Sequence, residues 1–339
     1  MPGQMTISRR SFLVMTVALA ACKPGSDILR FSGATMGTTY NVTAIDHGRN
    51  TDREGLSRGI EAALAQVNRE MSNWDAGSEI ARLNAAAPGE AVAVSPALHR
   101  VLAGAQSVHR ASDGRFDVTV GPLVDLWGFG AGAAQPRVPD EAEIAQAMGR
   151  VGQDRALTLG NGTVRKADAG AEVYLSAIGK GHGVDRVADV LRAAGLRDFM
   201  VEIGGDIYAS GVNGDGAPWR IGVESPLPGL TDVARVLGVS GLGMATSGDY
   251  RNFFEAGGRR YSHIIDPATG RPISHSTVSA TVLTEDAMLA DAWATAMLTL
   301  GHARGLEIAE AEGLAVLFIE ASDSGFVTHE SSRLAALSA

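Results

Sequence analysis

Cysteine is almost missing from this chain: among 339 residues there is one, Cys22. No intramolecular disulfide can form, so the usual staple of small exported domains is excluded. Runs of basic residues are also missing, and the net charge is -9. That balance argues against nucleic acid as a partner. Aromatic residues make up only 5%. No apolar run is long enough to cross a bilayer. What remains is ordinary globular material, 45% hydrophobic and 20% charged, enough for one large domain or two intimately joined ones. Glycine is plentiful, with 42 residues that fall in clusters. Such clusters imply tight turns, several of them close to a ligand.

The first 22 residues read as an address rather than as fold. Ser8-Arg9-Arg10-Ser11-Phe12-Leu13 is a twin-arginine pattern, followed by the short apolar stretch Leu13 to Ala21. Leu19-Ala20-Ala21-Cys22 closes it as a lipoprotein processing box would. Export with lipidation at Cys22 is the expectation, and it also accounts for the single cysteine. Lys23 does not choose between inner and outer membrane. Residues 23–30 are expected to be a tether and residues 31–335 the folded domain.

Along that domain, Phe31 to Ala44 reads as strand, Gly/Thr-rich turn and strand. Leu56, Ile60, Leu64, Val67 and Met71 form an apolar stripe at helical spacing. Ser95-Pro96 opens another helix, with Ser as N-cap and Pro in the first turn. Phe116, Val118 and Val120 alternate with Asp117 and Thr119 in strand fashion. Residues 199–203 read as a buried strand, residues 207–242 as further strands of one sheet, and residues 286–300 and 302–312 as helices. Strands and helices mingle without strict βαβ alternation, which predicts α+β with a mixed, largely antiparallel sheet and packed helices.

Three stretches carry chemistry. Asp291 and Thr295 are four residues apart on a helix that is apolar nearly all round, so both project from one buried face. A carboxylate there needs a partner. Either a hard cation such as Mg²⁺ takes the two oxygens, or Asp291 is hydrogen-bonded to backbone. Ser176-Ala177-Ile178-Gly179-Lys180-Gly181-His182-Gly183 runs into a second helix. A glycine-rich approach to a helix leaves backbone amides that suit a phosphate, although this is neither a P-loop nor a dinucleotide fingerprint. Trp74, on a loop between helices, is either a lid over core or a stacking platform.

Eight blocks occur in order: GATMGTTY (33–40), MSNWDAGSEIARLN (71–84), GRFDVTVGPLVDLWGFG (114–130), IGKGHGVDRVADVL (178–191), EIGGDI (202–207), ATSGDYRNFF (245–254), HIIDPATGRPI (263–273) and MLADAWATAM (288–297). Together they resemble the ApbE family of flavin transferases over roughly residues 31–300. The resemblance implies a fold of two intimately joined subdomains and a Mg²⁺-dependent transfer of FMN from FAD to a Thr or Ser hydroxyl, with release of AMP. By similarity, Asp291, Thr295 and the Ala177 backbone would hold Mg²⁺. Met36, Trp74, Arg115, Phe116, Asp117, Tyr174, Lys180 and Ile265 would contact FAD. His263 is then the candidate base, and Asp266 the group that positions the acceptor hydroxyl or a metal water. Tyr174 departs from the family pattern, which usually has Asp there, and His182 stands where Tyr is common.

The resemblance also implies a periplasm-facing lipoprotein whose acceptors belong to membrane redox complexes. The sodium-pumping NADH:quinone oxidoreductase (Nqr), its Rnf relatives and nitrous-oxide regulators make up that class. Two other readings stay open: a metal-dependent FAD pyrophosphatase, and a non-catalytic FAD-binding lipoprotein.

Overall fold

A computed structural model describes residues 28–130, 135–226, 233–250, 252–323 and 325–338. The export signal, Cys22 and most of the expected tether lie outside the described residues. Residues 28–30 do not belong to a tether: Ile28, Leu29 and Arg30 pair with Ile45, Ala44 and Thr43 at the start of the first strand. Among the described residues no helix is long and apolar enough to cross a membrane.

An eight-stranded sheet forms the frame, in spatial order Ile28–Thr35, Thr38–Ile45, Phe199–Ile203, Asp206–Ser210, Leu242–Gly248, Thr277–Thr284, Ala315–Ser322 and Gly325–Glu330. Each of these neighbours is antiparallel to the next. The largely antiparallel character expected of the sheet is what the strands show; outside the named strands the described residues hold one isolated parallel bridge, Val120 to Glu172. The first hairpin turns on Met36 and Gly37, both with positive φ (49° and 72°). Those angles are what a two-residue turn between twisted strands requires.

One face of the sheet is covered by helices. Leu56, Ile60 and Leu64 of Arg53–Met71 and Val184, Val187 and Leu191 of Gly179–Ala193 pack against Val42, Phe199, Val201 and Ile203. The stripe read from the sequence, Leu56 to Met71, is the face that is buried. The helix Ala287–Glu312 lies beside them and is broken at Gly301, whose φ of 73° is non-helical. The opposite face is covered by a separate two-stranded ribbon, Trp219–Glu224 with Val233–Val239. Its Trp219, Ile221, Val223, Leu237 and Val239 pack on Met200, Ile207, Met244 and Leu317. Residues 207–242 therefore do not form one sheet. Two of their strands join the frame and two make the ribbon.

A second region holds Pro96–Ala111 and a small sheet of Val92–Ala93, Leu157–Leu159 and Thr163–Lys166. Val92, Leu98, Leu102 and Val164 share one apolar cluster with Val282, Trp293 and Phe318 of the main frame. The two parts are thus joined through a common core.

Residues 116–120 are not a strand. Asp117 accepts from the Thr119 amide (2.7 Å), the Thr119 hydroxyl (2.5 Å) and the Gln153 amide (2.9 Å). That local turn competes with strand pairing, and Pro122 then starts the helix Gly121–Leu126.

Candidate active site

The long helix brings Asp291 against the start of Gly179–Ala193. Asp286 caps the long helix, accepting from the Leu289 amide at 2.8 Å. The Asp185 carboxylate takes the Ala287 and Met288 amides at 2.9 and 3.0 Å, and burial pushes its pKa up to about 7. Gly181 allows the crossing, because a Cβ there would lie 2.1 Å from the Ala287 carbonyl oxygen. Its amide donates to Asp291 Oδ2 at 3.0 Å.

Lys180 reaches the same point. Its Nζ lies 2.5 Å from Asp206 Oδ2 and 3.3 Å from Asp291 Oδ1. Asp206 and Asp291 are only 3% and 4% exposed, so two buried carboxylates share one ammonium. Burial, and then the Asp291 charge, holds the Asp206 carboxyl well above the usual range. Burial opposes the Lys180 charge, but the two carboxylates override it and raise its pKa. One turn on from Asp291, Thr295 Oγ1 lies 3.1 Å from Ser247 Oγ.

This donor set is all oxygen, apart from Lys180. Such a set fits a hard divalent cation. The partner that the sequence does not show near Asp291 is Lys180, 111 residues away in the chain.

Three amides at this helix start are already engaged within the protein. The Gly179 and His182 amides are taken by the Leu175 and Ile178 carbonyls, and the Gly181 amide by Asp291. Gly183 makes room for Met36, whose Cε would lie 2.6 Å from an added Cβ. These glycines serve close packing. Met36 itself is partly buried against the helices.

A second group surrounds the hairpin Ile265–Asp266 with Arg271–Pro272. His263 Nδ1 lies 3.0 Å from the Asn252 carbonyl. A carbonyl only accepts, so Nδ1 carries the proton and Nε2 keeps its lone pair. Burial lowers the His263 pKa, partly offset by that backbone bond, which favours a neutral ring. Asp266 takes Arg115 Nη1 at 2.7 Å through each of its oxygens, and the Ala268 amide at 2.9 Å. Its carboxylate is thereby fixed as a brace between the hairpin and residue 115. Trp127 donates to the Gly270 carbonyl at 2.9 Å and stacks on Tyr261, while Phe129 meets His263 edge-on. The two groups are linked through one strand end: Ser247 touches Thr295, and Asn252, five residues later, holds His263.

The residues expected at the cofactor differ in how they are held. Phe116 is in the core, and Asp117 is saturated by internal donors. Ile265 is buried with Leu123, Trp127 and Ile144 beneath the hairpin. Tyr174 is 8% exposed, its hydroxyl donating to Asp125 Oδ1 at 3.0 Å. Trp74 is no lid over core: it is 66% exposed and meets the Tyr174 ring edge-on. Ala177 is partly buried, one turn before Gly181. Three contributors escaped the sequence reading: Asp206, Ser247 and the Asn252 carbonyl. For Asp206 the signal was present, a carboxylate directly after a buried strand and Gly204-Gly205.

The fold is α+β, and it carries a histidine held in one tautomer and oxygen donors gathered from three elements. The chain belongs to the ApbE family, whose sequence model matches residues 36–318. It is 42% identical over 320 residues to the FAD:protein FMN transferase of Vibrio cholerae, covering 94% of this chain and 96% of that one. It is 42% identical over 327 residues to the FAD:protein FMN transferase of Haemophilus influenzae, covering 94% of each. The solved flavin transferase ApbE from Vibrio cholerae superposes with a TM-score of 0.85 at 41% identity, over 92% of this chain and 99% of that one.

Proposed function

We propose that this protein moves FMN from FAD to a Thr or Ser hydroxyl of an acceptor protein, with Mg²⁺, and releases AMP. The observation that carries the reading is His263, whose Nδ1 is fixed on the Asn252 carbonyl so that Nε2 is left as a base. The activity named for the similar proteins supports it.

In this reading the acceptor hydroxyl oxygen attacks the FMN phosphorus of the FAD pyrophosphate, and its proton passes to His263 Nε2. The bond between that phosphorus and the bridging oxygen breaks, and AMP leaves with the oxygen. Asp291, Thr295 and the Ala177 carbonyl would hold Mg²⁺, which supplies neutralisation of phosphate charge. Lys180 remains beside the two carboxylates and keeps a positive charge next to them. Arg115 and Asp266 together hold the hairpin so that His263 stays in place. The exposed ring of Trp74 is open for stacking on flavin.

The twin-arginine pattern and the Cys22 box support an exported lipoprotein, anchored to the inner or outer membrane and facing the periplasm. Its acceptors would then be periplasmic segments of membrane redox complexes of the Nqr, Rnf or nitrous-oxide regulator type. Intact mass of a Thr-containing acceptor fragment, after incubation with the protein, FAD and Mg²⁺, tests the chemistry. A gain of one FMN minus water that EDTA abolishes is expected. AMP release without that gain on an accepted substrate would make the protein a pyrophosphatase instead.

A further inference from the structure

At the far end of the long helix, the chain breaks at Gly301 and restarts with His302. The Thr277 hydroxyl accepts from the His302 amide at 2.9 Å and lies 3.2 Å from His302 Nδ1. Its own proton is therefore available to Nδ1, which favours the tautomer with the lone pair on that atom, and an ion bound there takes the place of that proton. Across the edge of the sheet, Glu320 pairs with Val327, and Phe318 pairs with His329. Strand alternation puts Phe318, Glu320 and His329 on one face, the face that Phe318 shares with the helices. His329 is then diagonal to Glu320.

The result is a convergence of three donors. His329 Nε2 is 2.9 Å and His302 Nδ1 is 3.7 Å from the same oxygen, Glu320 Oε2. The two imidazoles stack at 4.2 Å with an interplanar angle of 8°, so one ring must turn out of the stack for both in-plane lone pairs to meet one ion. All three donor atoms lie within 4.8 Å of one another. Zn²⁺ bonds of the usual length in a tetrahedron would set donors about 3.3 Å apart, so the cluster is close to that spacing without a metal. The other carboxylate oxygen, Oε1, is held by Ser276 Oγ at 2.5 Å. That is the outer hydrogen bond by which metal-binding carboxylates are oriented. The three side chains remain partly open, at 23–28% exposure, so an ion can enter and a fourth position is left for water.

We propose that His302, Glu320 and His329 form a second metal site, for Zn²⁺, separate from the proposed transfer site. Two imidazoles and one carboxylate suit Zn²⁺ and not Mg²⁺, which takes oxygen ligands. The ion would tie the last two strands to the helix break and place positive charge near the end of the segment that carries Asp291 and Thr295. This site does not depend on the transferase reading.

Untagged full-length protein, stripped with EDTA and dialysed against Zn²⁺ in excess Mg²⁺, provides the test. Bound zinc is measured by atomic emission, and melting temperature is followed with and without Zn²⁺. One zinc per chain is expected, with a melting temperature that Zn²⁺ raises. Glu320→Gln, which keeps the shape of the side chain, and the double variant His302→Ala/His329→Ala should each weaken binding about 10-fold or more. Both should also lose the zinc-dependent rise in melting temperature. His275→Ala, whose ring packs over Gly301 outside the donor set, and Asp291→Asn should bind zinc as the parent does. Zinc kept by the double variant, lost in Asp291→Asn, or not bound by the parent would each overturn the proposal.

Discussion

The two halves of the candidate site are built in opposite ways. Around His263 the work is done locally: the backbone of Asn252, a tight hairpin and a layer of aromatic rings fix one imidazole. Around Asp291 it is done at long range, by three charged side chains from two helices and a strand that meet inside the protein. A base fixed by backbone can be removed at little cost to the fold. A buried ionic group cannot lose its one cation so easily, because each remaining carboxylate is left in a poor solvent. Loss of activity and loss of stability should therefore separate between the two halves.

The largest effect is expected at the local half. His263→Ala should lower the rate of FMN transfer by about 10²–10⁴-fold, the usual range for a general base, with a nearly unchanged melting temperature. Single-turnover transfer followed by intact mass, beside a thermal melt, checks both parts. In the parent, transfer should be lost as pH falls, because protonation removes the Nε2 lone pair. Since burial lowers the His263 pKa, that loss should set in below the ordinary histidine value of 6.5. An acid limb at or above 6.5 in kcat/KM would speak against His263 as the base.

The long-range half should respond in stability. Lys180→Met leaves Asp206 and Asp291 facing one another without a cation. The cost should be about 3 kcal/mol, at the low end for a broken buried pair because the lysine stem is partly open. Asp291→Asn is the matched control. It leaves Lys180 paired with Asp206, so the metal-free protein should be as stable as the parent while transfer is lost. Urea melts of the two variants in EDTA read the difference. Gly181→Ala comes next. A methyl group 2.1 Å from a backbone oxygen must push the two helices apart, at about 1–3 kcal/mol, and should weaken the Mg²⁺ dependence of transfer at the same time.

The same contrast explains what was legible in the sequence. Helix faces were: Leu56, Ile60, Leu64, Val67 and Met71 are among the buried residues of their helix, because a period of 3.6 is written in one short window. The helix break between 300 and 302 was legible as well, through Gly301. The stretch 116–120 was misread because alternation does not reveal that Asp117 turns back to bond Thr119 and Gln153. The glycines around Lys180 pointed to phosphate, yet their role is set by a helix more than 100 residues away. Lys180 as the partner of Asp291, and Ser247 as the partner of Thr295, depend on tertiary crossing alone. No local pattern encodes them.

The smallest effect concerns His182, which belongs to the same helix as Lys180 but has no charge partner. It is 2% exposed, and among the described groups its Nε2 is buried without a hydrogen bond. Burial, followed by the charges of Arg186 and Arg100, lowers its pKa to about 4. The folded state therefore refuses a proton that the unfolded chain accepts, and stability is lost as pH falls from about 6.5 towards 4. Asp185 acts in the opposite sense: its raised pKa of about 7 makes the folded state hold a proton more readily, so its contribution declines as pH rises towards 7. The slope of the parent alone mixes the two. The difference between the parent and His182→Phe isolates the histidine. At pH 7 the phenyl ring should stabilise by about 1 kcal/mol, since an unpaired buried polar atom is removed. At pH 5 the gain should be larger, because the parent also resists protonation there. Urea melts of both proteins at the two pH values measure the pair of gains, and an equal gain at both would mean that His182 meets solvent in the folded state.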